Sequence, residues 1–170
     1  GEPRLFLVNR FGLIQLLGPG GLAPAPFLDL SDRVDFEGEG GLLSIAFAPD
    51  WATSGAFYVY YTAYCPVDAE RDDVDFDACN PDYPRTFTAG FFGTWLRLSR
   101  FQASFDPGAQ VWRGDPSSEE PMLSIRLHNF GHRGGGLTFG ADGRLYLTIG
   151  DQVRYDTAQD IVNTLEGGSF

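Results

Sequence analysis

Lysine is absent from this chain of 170 residues; all 12 basic residues are arginine, set against 23 acidic ones. The formal net charge is −11. A surface of that sign is repelled by a phosphate backbone, which argues against nucleic acid or an anionic membrane as partner. It is equally the ordinary charge of a soluble acidic protein. No apolar run reaches the roughly 18 residues that a membrane-spanning helix needs, and no basic stretch followed by an apolar one marks a leader at the N-terminus. The chain opens on Gly1 and stops at NTLEGGSF without a cap, which reads as a mature or partial chain. No GxSxG elbow, P-loop or dinucleotide fingerprint occurs, so the best-marked serine hydrolase, phosphate and nicotinamide readings are removed. Histidine is scarce too: His128 and His132 are the two.

What is abundant points to strands. Aromatics make up 15% of the chain and hydrophobic residues 43%, with 22 glycines and 11 prolines. That mixture suits short strands joined by tight turns better than a helix bundle. RLFLV (4–8) and LIQLL (13–17) flank the turn signal NRFG and predict a hairpin. APFLDL (25–30), LLSIAF (42–47), AFYVYYT (56–62), TWLRLSRFQ (94–102) and MLSIRL (122–127) are further strand candidates, followed by residues 136–139 and 144–149 joined by GADG. APDWATSG reads as a loop, and TAQDIVNTL (157–165) is the one candidate helix, with a loop as its alternative. LLSIAFAPDWATSGAFYVYYT echoes GGLTFGADGRLYLTIG: an apolar strand ending in Phe, an Asp-bearing turn with Gly, then an aromatic-rich strand. A repeated hairpin at regular spacing suggests a propeller or a sandwich. With about four strands to a blade, the roughly nine to eleven strands expected make two blades and part of a third.

Residues 63–93 break this rhythm and read as a long surface insertion within a single domain spanning 1–170. Cys65 and Cys79 bracket its acidic run, PVDAERDDVDFDA. Two cysteines closing one loop suggest a disulfide, worth about 3 kcal/mol for a loop of about 15 residues, and an oxidising compartment, periplasmic or secreted. Two unpaired thiols are the alternative; a zinc site lacks a nearby histidine in sequence. Asp73, Asp75 and Asp77 alternate as in a calcium loop, but Ala78 stands where an EF-hand needs Gly and Pro84 where it needs Glu. A solvated acidic loop is the default reading, and a metal site stays unassigned.

The pieces GEGGLLSIAFAPDW, GAFYVYYT, LRLSRF, HRGGGLTFGADGRLYLTIGD and AQDIVNTLEG, taken in order, resemble the soluble glucose/sorbosone dehydrogenase family. Those proteins are β-propellers of about six blades that oxidise sugars with pyrroloquinoline quinone (PQQ) and calcium. Hedgehog-interacting-protein-like propellers share the architecture. The resemblance implies an all-β fold, the N-terminal two to three blades of such a propeller. It implies PQQ and calcium as cofactors, with a sugar substrate and an electron acceptor as partners. A non-catalytic secreted propeller binding a protein or glycan is the alternative.

In the family a histidine just before the GxLxFGxDG strand is the general base, and His132 holds that place. An imidazole with an ordinary pKa near 6.5 can accept a proton at neutral pH. The resemblance puts Glu39 near the cofactor, Arg133 beside it as a partner for a cofactor carboxylate, and Asp151, Gln152 and Asp156 near the substrate. Each has a plainer reading as a turn or surface residue. Two positions depart from the family pattern: Gly131 stands where Asp or Asn is frequent, and Arg133 where Asn or Gln is common.

Overall fold

In a computed structural model, residues 5–64, 94–127 and 131–153 are described. They form three antiparallel sheets. β1 (Leu5–Asn9) and β2 (Leu13–Gly18) are the hairpin that the flanking apolar runs predict, with Leu5 opposite Leu17 and Asn9 opposite Leu13. NRFG closes it: the Gly12 N–H reaches Asn9 O at 3.0 Å and the Phe11 N–H reaches the Asn9 side chain at 2.9 Å. β2 also pairs with β3 (Gly21–Leu22) and β4 (Leu28–Asp29). The strand expected over 25–30 is thus cut to two residues. Pro24 and Pro26 have no N–H to give a ladder, although Phe27 N–H still reaches Ile14 O at 2.7 Å.

The second sheet runs β5 (Leu42–Phe47), β6 (Ala56–Tyr64), β7 (Thr94–Asp106) and β8 (Val111–Arg126), each antiparallel to the next. The loop expected at APDWATSG holds a single helical turn, α1 (Trp51–Ser54), ended by Gly55 at φ 65°, whose N–H returns to Trp51 O. β8 is far longer than the expected 122–127. Pro116 and Pro121 argue against a strand interior, but β8 pairs with β7 alone and an edge strand tolerates them. β7 also shifts register between Leu98 and Ser99 and between Arg100 and Gln102, opposite that stretch. The third sheet is the hairpin of β9 (Gly134–Phe139) and β10 (Leu145–Ile149).

The leading strands β1, β5 and β9 stand side by side, with β5 between the other two. The sheets fan outward from them, as blades do around a propeller axis. The repeat seen in the sequence is therefore the first hairpin of two successive blades, β5–β6 and β9–β10.

Two cores fill the gaps between sheets. Between the first and second lie Ile14, Phe27, Leu28, Leu30, Phe57 and Phe101, all at most 1% exposed, with Phe6, Phe47 and Trp51 packed against them. Between the second and third lie Tyr60, Leu96, Leu98, Leu127 and Leu137. Glu119 on β8 anchors a polar group beside the first core. It accepts hydrogen bonds from the Tyr61 hydroxyl, from Ser99 Oγ at 2.7 Å and from Arg33 Nη1 at 2.9 Å, and Arg97 Nη1 lies at 3.5 Å.

Candidate functional site

Two loops meet where adjacent leading strands begin. Residues 35–41 lead into β5, and residues 131–133 lead into β9. The β9–β10 hairpin places Gly134 opposite Ile149, so His132 and Asp151 flank its open end. There His132 Nδ1 lies 2.8 Å from Asp151 Oδ1. The same oxygen accepts the Val153 N–H at 2.9 Å. The hydrogen bond from His132, then that from Val153, holds the Asp151 carboxyl below the usual carboxylate range. An ionised carboxylate only accepts, so in the neutral ring Nδ1 carries the proton and Nε2 presents its lone pair. The His132 side chain is 57% exposed, which leaves that lone pair open to a ligand.

The backbone of His132 is held from the other side. Its N–H donates to the carboxylate of Glu39 across 93 positions of sequence. His132 itself has φ 52°, and Gln152 and Val153 have φ 53° and 61°. Three of the four non-glycine residues with positive φ among the described residues thus sit in this one corner. Such conformations cost of order 1 kcal/mol or more each and persist where the surroundings over-determine them. Gly150 is part of that constraint, since a Cβ there would stand 1.8 Å from His132 O. Gly131 is explained as well: a Cβ on it would meet Val153 Cγ2 at 3.1 Å and the Glu39 carboxyl carbon at 3.6 Å. The tighter of these contacts is with Val153; Glu39 would be at ordinary contact distance.

After the left-handed turn at His132, the Arg133 side chain is buried, 4% exposed, rather than presented to solvent. Burial lowers its pKa; the nearby charges of Asp35 and Glu39 oppose that. The Tyr60 hydroxyl donates to Arg133 O at 3.0 Å. Among the described residues Arg133 Nε and Nη1 have no hydrogen-bond partner, and both nitrogens are sealed from solvent. Gln152 is fully buried, its N–H 3.4 Å from His132 O.

Of the residues singled out in the sequence, His132, Glu39, Arg133, Asp151 and Gln152 come together. Asp156, His128, Cys65, Cys79, the bulk of the insertion and the candidate helix lie outside the described residues. Sequence reasoning missed Asp35 and Tyr60. Tyr60 sits in an aromatic run whose members look alike, and nothing in the sequence marks Asp35 apart from the other acids. Among the described residues no cluster of three or more His, Cys, Asp or Glu side chains could hold a metal ion, and no helix is long and apolar enough to cross a membrane.

The sheets and their order define a class first: this is an arc of a β-propeller. The family model described as Glucose / Sorbosone dehydrogenase matches residues 1–168, and the chain belongs to that family. It is 31% identical over 156 residues to a protein named Hedgehog-interacting protein from Mus musculus, covering 89% of this chain and 19% of that one. Among solved structures it is similar to the PQQ-bound aldose sugar dehydrogenase of Streptomyces coelicolor, with TM-score 0.59 and 19% identity over 92% of this chain and 37% of that one. It is likewise similar to the soluble aldose sugar dehydrogenase of Escherichia coli in its apo form, with TM-score 0.59 and 21% identity over 91% of this chain and 36% of that one. At those identities the structures establish the fold. The chain spans about a fifth of the length of the curated relative and just over a third of the structural neighbours.

Proposed function

We propose that this chain carries the proton-accepting wall of a PQQ-dependent aldose dehydrogenase site. The observation that carries the reading is the His132–Asp151 pair, made through Nδ1 on a largely exposed imidazole. Asp151 fixes the tautomer and steadies the imidazolium that forms when Nε2 takes the proton of an anomeric hydroxyl. Glu39 fixes the histidine's backbone, and its second oxygen is free to accept a sugar hydroxyl. Bound PQQ would supply the two-electron acceptor for the hydride that leaves the same carbon. The residues present fit such a cofactor on one count: two buried guanidinium nitrogens of Arg133, with no partner among the described residues, suit an anionic oxygen, so Arg133 would hold that oxygen, and Glu39, itself an anion, would face an N–H or hydroxyl of the bound group. The described residues offer calcium no cluster of three or more His, Cys, Asp or Glu side chains. Asp156 is proposed as a further sugar contact, and a periplasmic or secreted location with a Cys65–Cys79 disulfide goes with this reading.

The test uses the full-length protein with PQQ, calcium, a panel of aldoses and a redox dye as electron acceptor. Dye reduction that needs cofactor and sugar together, and falls by about a hundredfold or more in His132→Ala, is the expected result for removal of a general base. A second reading is a non-catalytic propeller that binds a protein or glycan, favoured by the likeness to a Hedgehog-interacting protein. A folded protein that neither binds PQQ nor reduces dye would overturn the first reading and leave the second as the better account.

A further inference from the structure

We propose that Arg10, in the β1–β2 turn of the first sheet, is a positioning residue for the site at the second and third. It grips the loop that carries Glu39 and so keeps the Glu39 carboxylate on the His132 N–H. The Arg10 guanidinium donates through Nη2 to Phe36 O and to Gly38 O, the latter at 2.7 Å. Its own carbonyl accepts the Leu42 N–H at 2.9 Å. One residue therefore holds the loop in its middle and at its exit into β5. Phe11 adds a contact with Phe36, their ring centroids 4.9 Å apart and nearly perpendicular.

The loop's other bonds fix its flanks and close the turn around Gly38 and Glu39, leaving Arg10 to tie that turn to the first sheet. The Glu37 N–H reaches Asp35 Oδ1 at 3.0 Å, the Gly40 N–H reaches Glu37 O at 2.8 Å, and the Gly41 N–H reaches Thr62 Oγ1 at 2.6 Å. Arg10 grips the carbonyl directly before Glu39. Arginine suits the task because one terminal nitrogen carries two N–H groups in a rigid plane and can serve two carbonyls at once. A lysine ammonium can reach one or both, but is more strongly hydrated and held by a floppier stem.

The consequence runs through backbone. His132 has a left-handed conformation, and its N–H is satisfied by Glu39. If the loop drifts, that N–H loses its acceptor, and relaxation of the left-handed φ moves the imidazole away from its set position on Asp151. The catalytic part of this inference rests on the proposed dehydrogenase reading; the structural part does not.

The experiment is selective ¹⁵N-histidine labelling of the full-length protein, with the His132 amide assigned by its loss in His132→Gln. An amide N–H on a carboxylate resonates downfield and moves when acid protonates that carboxylate. The expected result is a downfield, acid-sensitive His132 amide in the wild type. Arg10→Met should lose both properties, Arg10→Lys should recover part of them, and Glu39→Gln should lose the acid response alone. Arg10 is exposed, so the fold should survive, which circular dichroism checks. An unchanged His132 amide in Arg10→Met would overturn the proposal. In parallel, kcat in Arg10→Met should fall by about tenfold, as misplacement of a catalytic group does, with a smaller change in KM. Loss of the amide signature in a protein with no dehydrogenase activity would uphold the positioning role and sink only the catalytic reading.

Discussion

The two junctions between sheets are made of different material. The first is aromatic: Phe6, Phe27, Phe47, Trp51, Phe57 and Phe101 pack ring against ring, with Phe57 and Phe101 stacked at 5.6 Å and Phe47 and Trp51 at 4.5 Å. The second is mostly aliphatic, and Tyr60, its largest buried side chain, spends its hydroxyl on the Arg133 carbonyl. Three of the four non-glycine residues with positive φ among the described residues, and the Arg133 guanidinium, lie at the mouth of the second. Aromatic packing fills one seam, and most of the strained backbone lies at the other. That is the distribution expected where a site needs pre-set geometry and the rest of the fold must compensate.

Truncation in the two seams should show the difference most plainly. Phe57 is completely buried and touches four aromatic rings. Phe57→Ala should cost about 3–5 kcal/mol, in the range for emptying a large aromatic site. Leu96, 1% exposed in the second seam, should cost about 2 kcal/mol on Leu96→Ala, the lower part of the range for such a change. Urea unfolding of both variants measures this, and equal losses would erase the distinction.

Acid should separate the seams more gently. Burial alone would raise the Glu119 pKa, but hydrogen bonds from Tyr61, Ser99 and Arg33 win and hold it below the usual glutamate value. A depressed folded pKa stabilises the protein above the unfolded value, and that contribution is lost as pH falls through the folded one. Stability should therefore drop as pH is lowered past the ordinary glutamate range, and Glu119→Gln should flatten that limb. Asp151 is shifted in the same direction by His132 and Val153, but it is solvent-exposed and screened. Asp151→Asn should leave the acid limb nearly unchanged. Denaturation midpoints across the acid range would decide it, and a larger effect from Asp151 would reverse the assignment of roles.

Much of the fold was legible because hairpins are local. NRFG between two apolar runs, and GADG between LTF and LYL, announce themselves through turn chemistry and alternation. β8 was not, because its prolines and serines imitate a loop, and only its edge position makes them tolerable. The site was half legible. Asp151 could be placed near His132 from the hairpin alone. Glu39 could be flagged by resemblance, but its acceptance of the His132 N–H joins residues 93 apart, and no spacing rule reaches that far. The resemblance put Arg133 beside the cofactor, and nothing in the sequence marks it as buried; its burial follows the left-handed φ at His132, which a histidine in sequence does not declare.

Gly131 gives the smallest effect and the finest test of the comparison. Its φ is not positive, so alanine brings no backbone strain, only a Cβ pressed against Val153 at 3.1 Å and near Glu39 at 3.6 Å. Val153 is 45% exposed and can give way. Gly131→Ala should change stability by no more than about 1 kcal/mol, as a substitution with a yielding neighbour does. Its sharper mark should be on the Glu39 contact, read as a shift of the His132 amide and, on the proposed dehydrogenase reading, as a modest rate loss well short of that in His132→Ala. A loss of stability to match Phe57→Ala would mean that the mouth of the second seam is packed as tightly as the first, and the division between a seam that stabilises and a seam that works would fall.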